Sequence, residues 1–211
     1  MTDANEKNYL ADAFSARLAR DFPKTVWQSQ FGEGSAASRM HAATWSVVCA
    51  ESPWDGRMSQ AEVRIALARL AAGRAGHLDA GPCSASLAAF AAPDAALRAA
   101  LALQRSTAAA RLRIGVLTVR AGVAHFRFEG ATVCLLVGAS LDGAAALLRR
   151  AVPGTVQLCA DTYDALAGVS PELDACLVMP GYDRDELTHV ALTPAPARGE
   201  FRSNFASLGL A

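Results

Sequence analysis

The chain has 211 residues, which is enough for one α/β domain with flanking segments but too few for a second full domain. Lysine plus arginine and aspartate plus glutamate each number 20, so the balanced charge excludes a general attraction to nucleic acid or to an anionic membrane. Hydrophobic residues make up 52%, but much of this fraction is alanine, and no window approaches the roughly 18 uninterrupted apolar residues of a membrane-spanning helix.

The N-terminal segment predicts a short helix on a chain located in the cytoplasm. Its first residues, MTDANEKNYL, are polar and carry early acids, unlike a secretory signal or a transit peptide. Leu10, Phe14, Leu18 and Phe22 then follow at four-residue steps, which is typical of an amphipathic helix over Asn5–Phe22. This helix either docks on its own domain or serves as an oligomerisation or partner helix, and the sequence leaves both roles open.

A Gly/Ser-rich stretch, FGEGSAAS, lies between Pro23 and Thr44 and predicts a connector. We therefore divide the chain into an N-terminal helix with its connector (1–43), a main domain (44–193) and a C-terminal tail (194–211). The tail contains proline, alanine and glycine and is expected to be loosely held.

The main domain begins with alternating strands and helices. Trp45–Glu51 (WSVVCAE) predicts a first strand, and Ser59 is placed to cap a helix that runs to about Ala72. Two short strands are expected over His77–Ser84 and Ser86–Ala92.

The middle of the main domain predicts a helix followed by a long strand region. Pro93 suits the first residue of the helix, since proline there loses no hydrogen bond. Leu112, Ile114 and Val116 alternate as a strand, and Val119–Phe128 continues as an arm of a hairpin.

The stretch Thr132–Leu158 predicts a β-α-β unit. TVCLLV indicates a strand covered on both faces, and the apolar residues from Leu141 to Leu148 recur at helical spacing. Gly138 and Ser140 in the first turn suit either phosphate binding or close packing, and packing is the commoner reason for small residues there.

The late part of the domain predicts a helix over Asp161–Ala167 and strands near Cys176–Met179 and His189–Leu192. The resulting order β-α-β-β-α-β, with an added hairpin and βα extension, describes a ferredoxin-like sandwich of the α/β (α+β) class.

The five cysteines are far apart in sequence and include no C-x-x-C pair. Cys49, Cys134 and Cys159 lie in apolar runs, so we expect all five to be free thiols and most to be small core residues. The histidines show no metal-ligand spacing either. The sequence predicts neither a zinc site nor any other metal or cofactor.

Three segments together resemble the catalytic domain of class III adenylate/guanylate cyclases. They read SLAAFAAPDAALRAALALQ, LRIGV and VGASLDGAAALLRRAVPGTVQL followed by DTYDAL, and the resemblance covers roughly Trp45 to Leu192. The family has a strand ending in Ala-x-Phe, an alanine-rich helix, an Arg-Ile-Gly strand and a Pro-Gly turn in the same order. The order and spacing of these segments carry the resemblance, rather than one motif.

The resemblance implies positions for the family's chemistry. Two aspartates that hold two metal ions in that family fall on Glu51 and Ser84 here. The remaining family positions are the base-reading lysine, its partner, the ribose-orienting asparagine and the transition-state arginine, which fall on Ala80, Leu135, Asp142 and Ala146. Only Glu51 keeps the chemical character of its family residue.

These losses predict a degenerate, catalytically inactive cyclase-homology domain that acts as a regulatory interaction module. Members of the family dimerise through the faces that build the active site, so we expect a homodimer or a heterodimer with a related chain. An apolar site formed by Ala80, Leu135 and Ala146 suits a protein partner.

Two alternative functions remain open at this point. In the first, the cleft senses a nucleotide or another small molecule without turnover, with Arg120, Arg149 and Arg150 as phosphate contacts; the last two also suit solvated cations at a helix end. In the second, a residual cyclase uses scattered acids as unconventional metal ligands, namely Glu51, Asp55, Asp79 and Asp142.

Overall fold

The structure is a computed structural model, and it describes residues 3–31, 39–52, 58–81, 84–106, 111–138, 141–169, 177–178 and 189–191. The helices in these ranges are α1 (Asp3–Asp21), α2 (Lys24–Phe31), α3 (Gln60–Ala72), α4 (Pro93–Ser106), α5 (Asp142–Arg150) and α6 (Ala160–Leu166). The strands are β1 (Arg39–Glu51), β2 (His77–Leu78), β3 (Ser86–Phe90), β4 (Arg113–Phe128), β5 (Ala131–Val137), β6 (Val156–Leu158), β7 (Leu177–Val178) and β8 (His189–Ala191).

The strands of the described residues form one mixed sheet organised around β4. The order is β2-β3-β1-β4-β6-β8-β7, and β5 pairs with the C-terminal half of β4. β1 runs antiparallel to β4 over its whole length, from Arg39 opposite His125 to Glu51 opposite Arg113. β6 is parallel to β4, and the other strand pairs are antiparallel. The predicted α+β class and ferredoxin-like arrangement are confirmed.

Alternation along β1 and β4 gives the sheet two apolar faces. Residues such as Val48 and Ile114 face α3, α4 and α6, and their face continues to Ala124 and Phe126 beneath α1. The opposite face carries Val47 and the other odd-numbered positions, and among the described helices it is packed by α5. We call this second surface the α5 face.

Local sequence signals place two helices as expected. The Ser59 side chain accepts a hydrogen bond from the Glu62 backbone amide, and the Glu62 carboxylate accepts one from the Ser59 amide, which completes a capping box at the start of α3. Pro93 is the first residue of α4. Both predicted helix starts are confirmed, because each depends on side chains within one turn of the helix end.

The predicted connector differs from the structure. The range between Pro23 and Thr44 contains α2, and β1 begins at Arg39 rather than at Trp45. A boundary at residue 44 therefore falls inside a strand that is hydrogen-bonded to β4 along its length. The second part of the predicted connector, residues 32–38, and the tail from residue 194 lie outside the described residues.

Two further predictions need adjustment. The separate strand and hairpin arm predicted over 112–128 are one continuous strand, β4. The predicted β-α-β unit consists of β5, α5 and β6, but β5 is antiparallel and β6 is parallel to β4, and both strands lie along the same edge of β4. In the parts of the chain that the structure describes, no helix is long and apolar enough to cross a membrane.

The N-terminal helix docks on its own domain. Leu10, Phe14 and Leu18 are buried against β4 and β5, where Phe14 contacts the Phe126 ring edge-on at a centroid distance of 6.1 Å. The predicted amphipathic face thus finds its partner within the chain. This docking accounts for the burial of both faces of β5.

A buried ion pair fixes α1 to the sheet. The Arg17 guanidinium donates to Asp79 Oδ2 at 2.6 Å and also to the carbonyl oxygen of Leu136. The other carboxylate oxygen of Asp79 accepts a hydrogen bond from the Leu136 amide at 2.8 Å. Asp79 is only 2% exposed, so its charge depends on these donors in place of water.

Arg17→Ala should lower the free energy of unfolding by about 3 to 5 kcal/mol, because it leaves the Asp79 carboxylate buried without its cation. The matched control is Arg20→Ala on the same helix: this side chain is 72% exposed, so its loss should cost less than about 1 kcal/mol. Urea unfolding followed by circular dichroism measures both variants. A loss at Arg17 no larger than that at Arg20 would contradict the role of the pair.

Candidate functional site

A cavity of about 290 Å³ opens on the α5 face between the end of β1, the start of β3 and α5. Its lining combines one carboxylate, one guanidinium and one hydroxyl with apolar side chains: Glu51, Ser84, Ala85, Leu87, Leu141, Ala144, Ala145, Leu148 and Arg149. We call it the α5 cleft. It brings together Glu51 and Ser84, the two positions that the resemblance assigned to metal binding.

Glu51 owes its position to the last residue pairs of β1 and to a side chain on α3. The Gln60 amide nitrogen donates to the Ala50 carbonyl at 3.1 Å and to Ser86 Oγ at 2.8 Å. Its amide oxygen accepts from the Ser52 backbone at 2.8 Å. Gln60 therefore ties the strand on both sides of Glu51 to the start of β3, which fixes one wall of the cleft.

A cation lies beside the Glu51 carboxylate. Glu51 is directly opposite Arg113 in the pairing of β1 with β4, and Arg113 Nη1 is 4.0 Å from Glu51 Oε2. Both side chains remain partly exposed, so the interaction is a weak ion pair screened by water. The guanidinium nevertheless places positive charge where a bound metal ion would need negative ligands.

The opposite wall is α5, which approaches the sheet closely. A side chain at Gly115 on β4 would come within 2.8 Å of both Leu147 Cδ2 and Cys49 Sγ, so glycine permits this contact. Arg149 from the last turn lines the cleft, whereas Ala146 and Asp142 are not among its lining residues. Asp142 is exposed at the start of the helix. Ala146, the position that the resemblance assigned to the transition-state arginine, thus lies on α5 but does not line the cleft.

A second cavity of about 350 Å³ lies near the junction of β2, β4 and β5 and contains Ala80. The Ala80 amide donates to the Cys134 carbonyl at 2.7 Å, which brings it beside the strand that bears Leu135. The Leu135 side chain points to the other face, however, and is fully buried beneath α1. The expectation that Ala80 and Leu135 form one apolar binding surface is therefore corrected: α1 covers Leu135.

The remaining predicted residues are dispersed. Arg120 pairs with Glu6 of α1 at 2.6 Å and does not line the α5 cleft, and neither does Arg150. Asp79 belongs to the ion pair with Arg17, and Asp55 lies outside the described residues. Of the four acids considered as unconventional metal ligands, the cleft contains Glu51.

The cysteines of the described ranges are free thiols. Burial raises the pKa of Cys49 and that of Cys134 to about 12 each, which holds both as neutral, weakly reactive thiols. Cys159 is partly buried near the start of α6, and Cys83 and Cys176 lie outside the described residues.

Among the residues that the structure describes, the donor set of the cleft does not fit a pair of divalent metal ions. Such ions need several oxygen ligands with negative charge, and the α5 cleft offers one carboxylate, faced by Arg113, and the neutral hydroxyl of Ser84. Across the described ranges, no group of three or more histidine, cysteine, aspartate or glutamate side chains is arranged to hold a metal.

Several residues that shape these sites escaped the sequence analysis. Gln60 and Arg113 flank Glu51 only because β1, β3 and β4 are adjacent. Arg17 and Asp79 meet across 62 residues of sequence, and His77 meets His125 across 48. The one usable signal was the alternation of apolar residues after Arg113, which predicts a strand; its pairing with β1 sets Arg113 opposite Glu51.

No protein-family model and no curated protein matches this chain. Solved structures do match. The adenylyl cyclase CyaB from P. aeruginosa aligns with 75% of this chain and 98% of its own at 12% identity and a TM-score of 0.53. An adenylate/guanylate cyclase/hydrolase from Silicibacter pomeroyi aligns with 73% of this chain and 99% of its own at 16% identity and a TM-score of 0.54.

A third similar structure is a dimeric guanylyl cyclase domain of the RhoGC fusion protein from the aquatic fungus Blastocladiella emersonii. It aligns with 73% of this chain and 98% of its own at 14% identity and a TM-score of 0.51. At this level of identity the likeness concerns the backbone arrangement. The chain therefore has the fold of the class III adenylyl/guanylyl cyclase catalytic domain.

Proposed function

We propose that this chain is a catalytically inactive cyclase-homology domain that regulates a partner by dimerising with it. One observation carries the proposal: the α5 cleft brings Glu51 and Ser84 together, as the resemblance implies, yet it contains one carboxylate and a facing arginine. The backbone of the site has been kept, while its charges no longer suit metal-assisted chemistry on a triphosphate.

The missing charges act at separate stages of nucleotide cyclisation. Two metal ions would activate the attacking hydroxyl and neutralise the phosphates, and a cation on the adjacent helix would stabilise the charge that develops in the transition state. Ser84 supplies no charge for the first task, and Ala146 supplies none for the second. Because such groups act together, the loss of either is enough to abolish measurable turnover.

Wild-type protein should form no cyclic AMP or cyclic GMP from ATP or GTP with Mn²⁺, above a heat-denatured control. The variant Glu51→Asp/Ser84→Asp should also form none, since it still lacks a base contact and the transition-state cation. Product formation is measured by chromatography with mass detection. Turnover by the wild type above the control would disprove the inactive assignment.

A combined variant tests whether the family's site positions are correctly assigned to residues of this chain. It adds Ala80→Lys, Asp142→Asn and Ala146→Arg to the two aspartates, and it omits Leu135→Asp because a carboxylate there would be buried without a partner beneath α1. We expect this to be the least set that gives detectable turnover. Nucleotide binding by the folded variant, measured by calorimetry, supports the placement even where turnover is absent.

The α5 face is the surface that we assign to dimerisation. Ala43, Leu87 and Val119 are only partly buried on it, and α5 covers a neighbouring part of the same face. Partly exposed apolar side chains beside a cleft suit a protein partner better than a charged ligand. A second copy of this chain is the simplest occupant, because closed two-fold dimers are the commonest oligomers.

Val119→Glu should weaken self-association at least tenfold, because a buried unpaired carboxylate at an interface costs more than about 1.4 kcal/mol. Ile65→Glu is the matched control, since Ile65 on α3 is 52% exposed and lies on the other side of the sheet. Sedimentation velocity over a concentration series measures both. A wild type that stays monomeric throughout would exclude the homodimer and leave a heterodimer with a related chain.

A second candidate function is a sensor that binds an anionic ligand without turnover. Arg149 lines the α5 cleft, and the Arg113 guanidinium lies beside it near Glu51, so two cations are available to a phosphate or carboxylate group. A ligand at about one hundred times its dissociation constant would stabilise the fold by roughly 2.7 kcal/mol.

If the cleft binds nucleotides, Arg149→Ala should remove the rise in melting temperature that ATP, GTP or their cyclic products cause. Arg150→Ala is the matched control, because Arg150 is the next residue of the same helix turn and does not line the cleft. Differential scanning fluorimetry compares the two variants. An equal rise in melting temperature in both variants would show that the nucleotide binds elsewhere. No rise in the wild type would exclude the sensor function.

A further inference from the structure

Three of the four histidines in the sequence meet around one tryptophan on the α5 face. Trp45 on β1 makes edge-on contacts with His41 at a centroid distance of 5.7 Å and with His77 of β2 at 5.4 Å. His77 in turn contacts His125 of β4 at 4.9 Å. The cluster therefore joins three strands, β1, β2 and β4, and the α5 cleft does not include it.

The two imidazoles of His77 and His125 face each other through ring nitrogens. His77 Nδ1 and His125 Nε2 are 3.2 Å apart, so one must donate and the other accept. After one proton is added to the pair, one ring is still neutral and its facing nitrogen can accept the hydrogen bond from the other ring. A second proton makes both facing nitrogens donors, and two cations then meet at hydrogen-bond distance.

The groups packed around the pair do not compensate a second positive charge. His41 of β1 is a further imidazole, and Arg64 of α3 is a cation whose guanidinium donates to the carbonyls of Asp79 and Gly81. The Cys134 thiol of β5 is neutral because burial raises its pKa to about 12. The Asp79 carboxylate, directly after β2, accepts hydrogen bonds from Arg17 of α1 and from the Leu136 amide.

Backbone connections link this pair to α1. Asp79 follows His77 by two residues at the end of β2, and it holds Arg17 of α1. Cys134 is directly opposite His125 in the pairing of β4 with β5, and its carbonyl accepts the Ala80 amide. A force that separates His77 from His125 therefore strains the bonds that keep Asp79 against β5 and Arg17.

We propose that the His77–His125 pair is a proton-operated latch: protonation of both rings loosens the end of β2 from β5 and releases α1 from the sheet. Release uncovers an apolar surface of β4 and β5 that includes Phe126, Leu135 and Val137. The latch goes beyond the proposed regulatory function and does not depend on it, because the two histidines do not line the α5 cleft and the surface that release uncovers lies on the opposite face of the sheet.

The direction of the pH effect follows from the pair. Burial lowers the pKa of His77 from its usual 6.5, and the charges of His125 and His41 lower it further. The unfolded chain therefore binds this proton more readily than the folded chain. The contribution of His77 to stability is complete above about pH 6.5 and is lost as the pH falls through its lower, folded value.

Hydrogen exchange on the full chain at about pH 7.5 and about pH 5.5 tests the latch. Protection factors, corrected for intrinsic exchange, should fall in α1 at the lower pH, because burial lowers the pKa of His77 in the folded chain and the unfolded chain binds the proton more readily. The protection factors of α4 should not fall together with those of α1. His125→Gln keeps a polar partner but cannot become a cation, so its α1 protection should be insensitive to pH.

His189→Gln is the control, because His189 lies on β8 near the other end of the sheet order; it should behave as the wild type does. An equal fall in His125→Gln, or no fall in the wild type, would overturn the proposal. If His125→Gln does not fold, the wild type decides by NMR titration of its histidine ring protons. His77 must then titrate with a pKa below its usual 6.5, and a midpoint at or above that value would overturn the latch.

Discussion

The docking of the N-terminal helix depends on one buried carboxylate. Asp79 lies at the end of a two-residue strand, is almost inaccessible to water, and accepts hydrogen bonds from Arg17 and from the backbone of Leu136. Removing such a charge from water is costly, so the site is stable only while every donor stays in place. The same carboxylate therefore joins β2, β5 and α1. This connection holds the apolar side of α1 against the sheet.

Because Asp79 holds α1 against one face of the sheet, the two faces have different surroundings. One face is packed by α1, α3, α4 and α6. The α5 face keeps a cleft and partly exposed apolar residues beside it. We propose interaction with a partner for the face whose cleft holds Glu51 and Ser84.

Most elements could be predicted from the sequence, because their signals are local. The capping box at Ser59 and the proline that begins α4 act within one helical turn. α2 was missed because its eight residues are too few to show a helical period, and a glycine-rich stretch follows it. β4 was divided in two, since its apolar alternation is interrupted by polar residues around Thr118 and Arg120.

The candidate site was predictable only as far as the order of segments allowed. Glu51 and Ser84 share a cleft as the resemblance implied, but the cation beside Glu51 follows from strand pairing that no local spacing reveals. Leu135 was assigned to the cleft from its place in a motif. Its side chain lies on the other face because neighbouring residues of a strand alternate in direction, and α1 covers that face.

The central claim is that the cleft keeps its shape and has lost its capacity for a pair of metal ions. Titration of the wild-type chain with Mn²⁺ in the presence of a non-hydrolysable ATP analogue, followed by electron paramagnetic resonance, tests this directly. The account predicts that the signal of free Mn²⁺ equals that of the analogue alone at every protein concentration. Saturable binding of two ions per chain, abolished by Glu51→Ala, would contradict it.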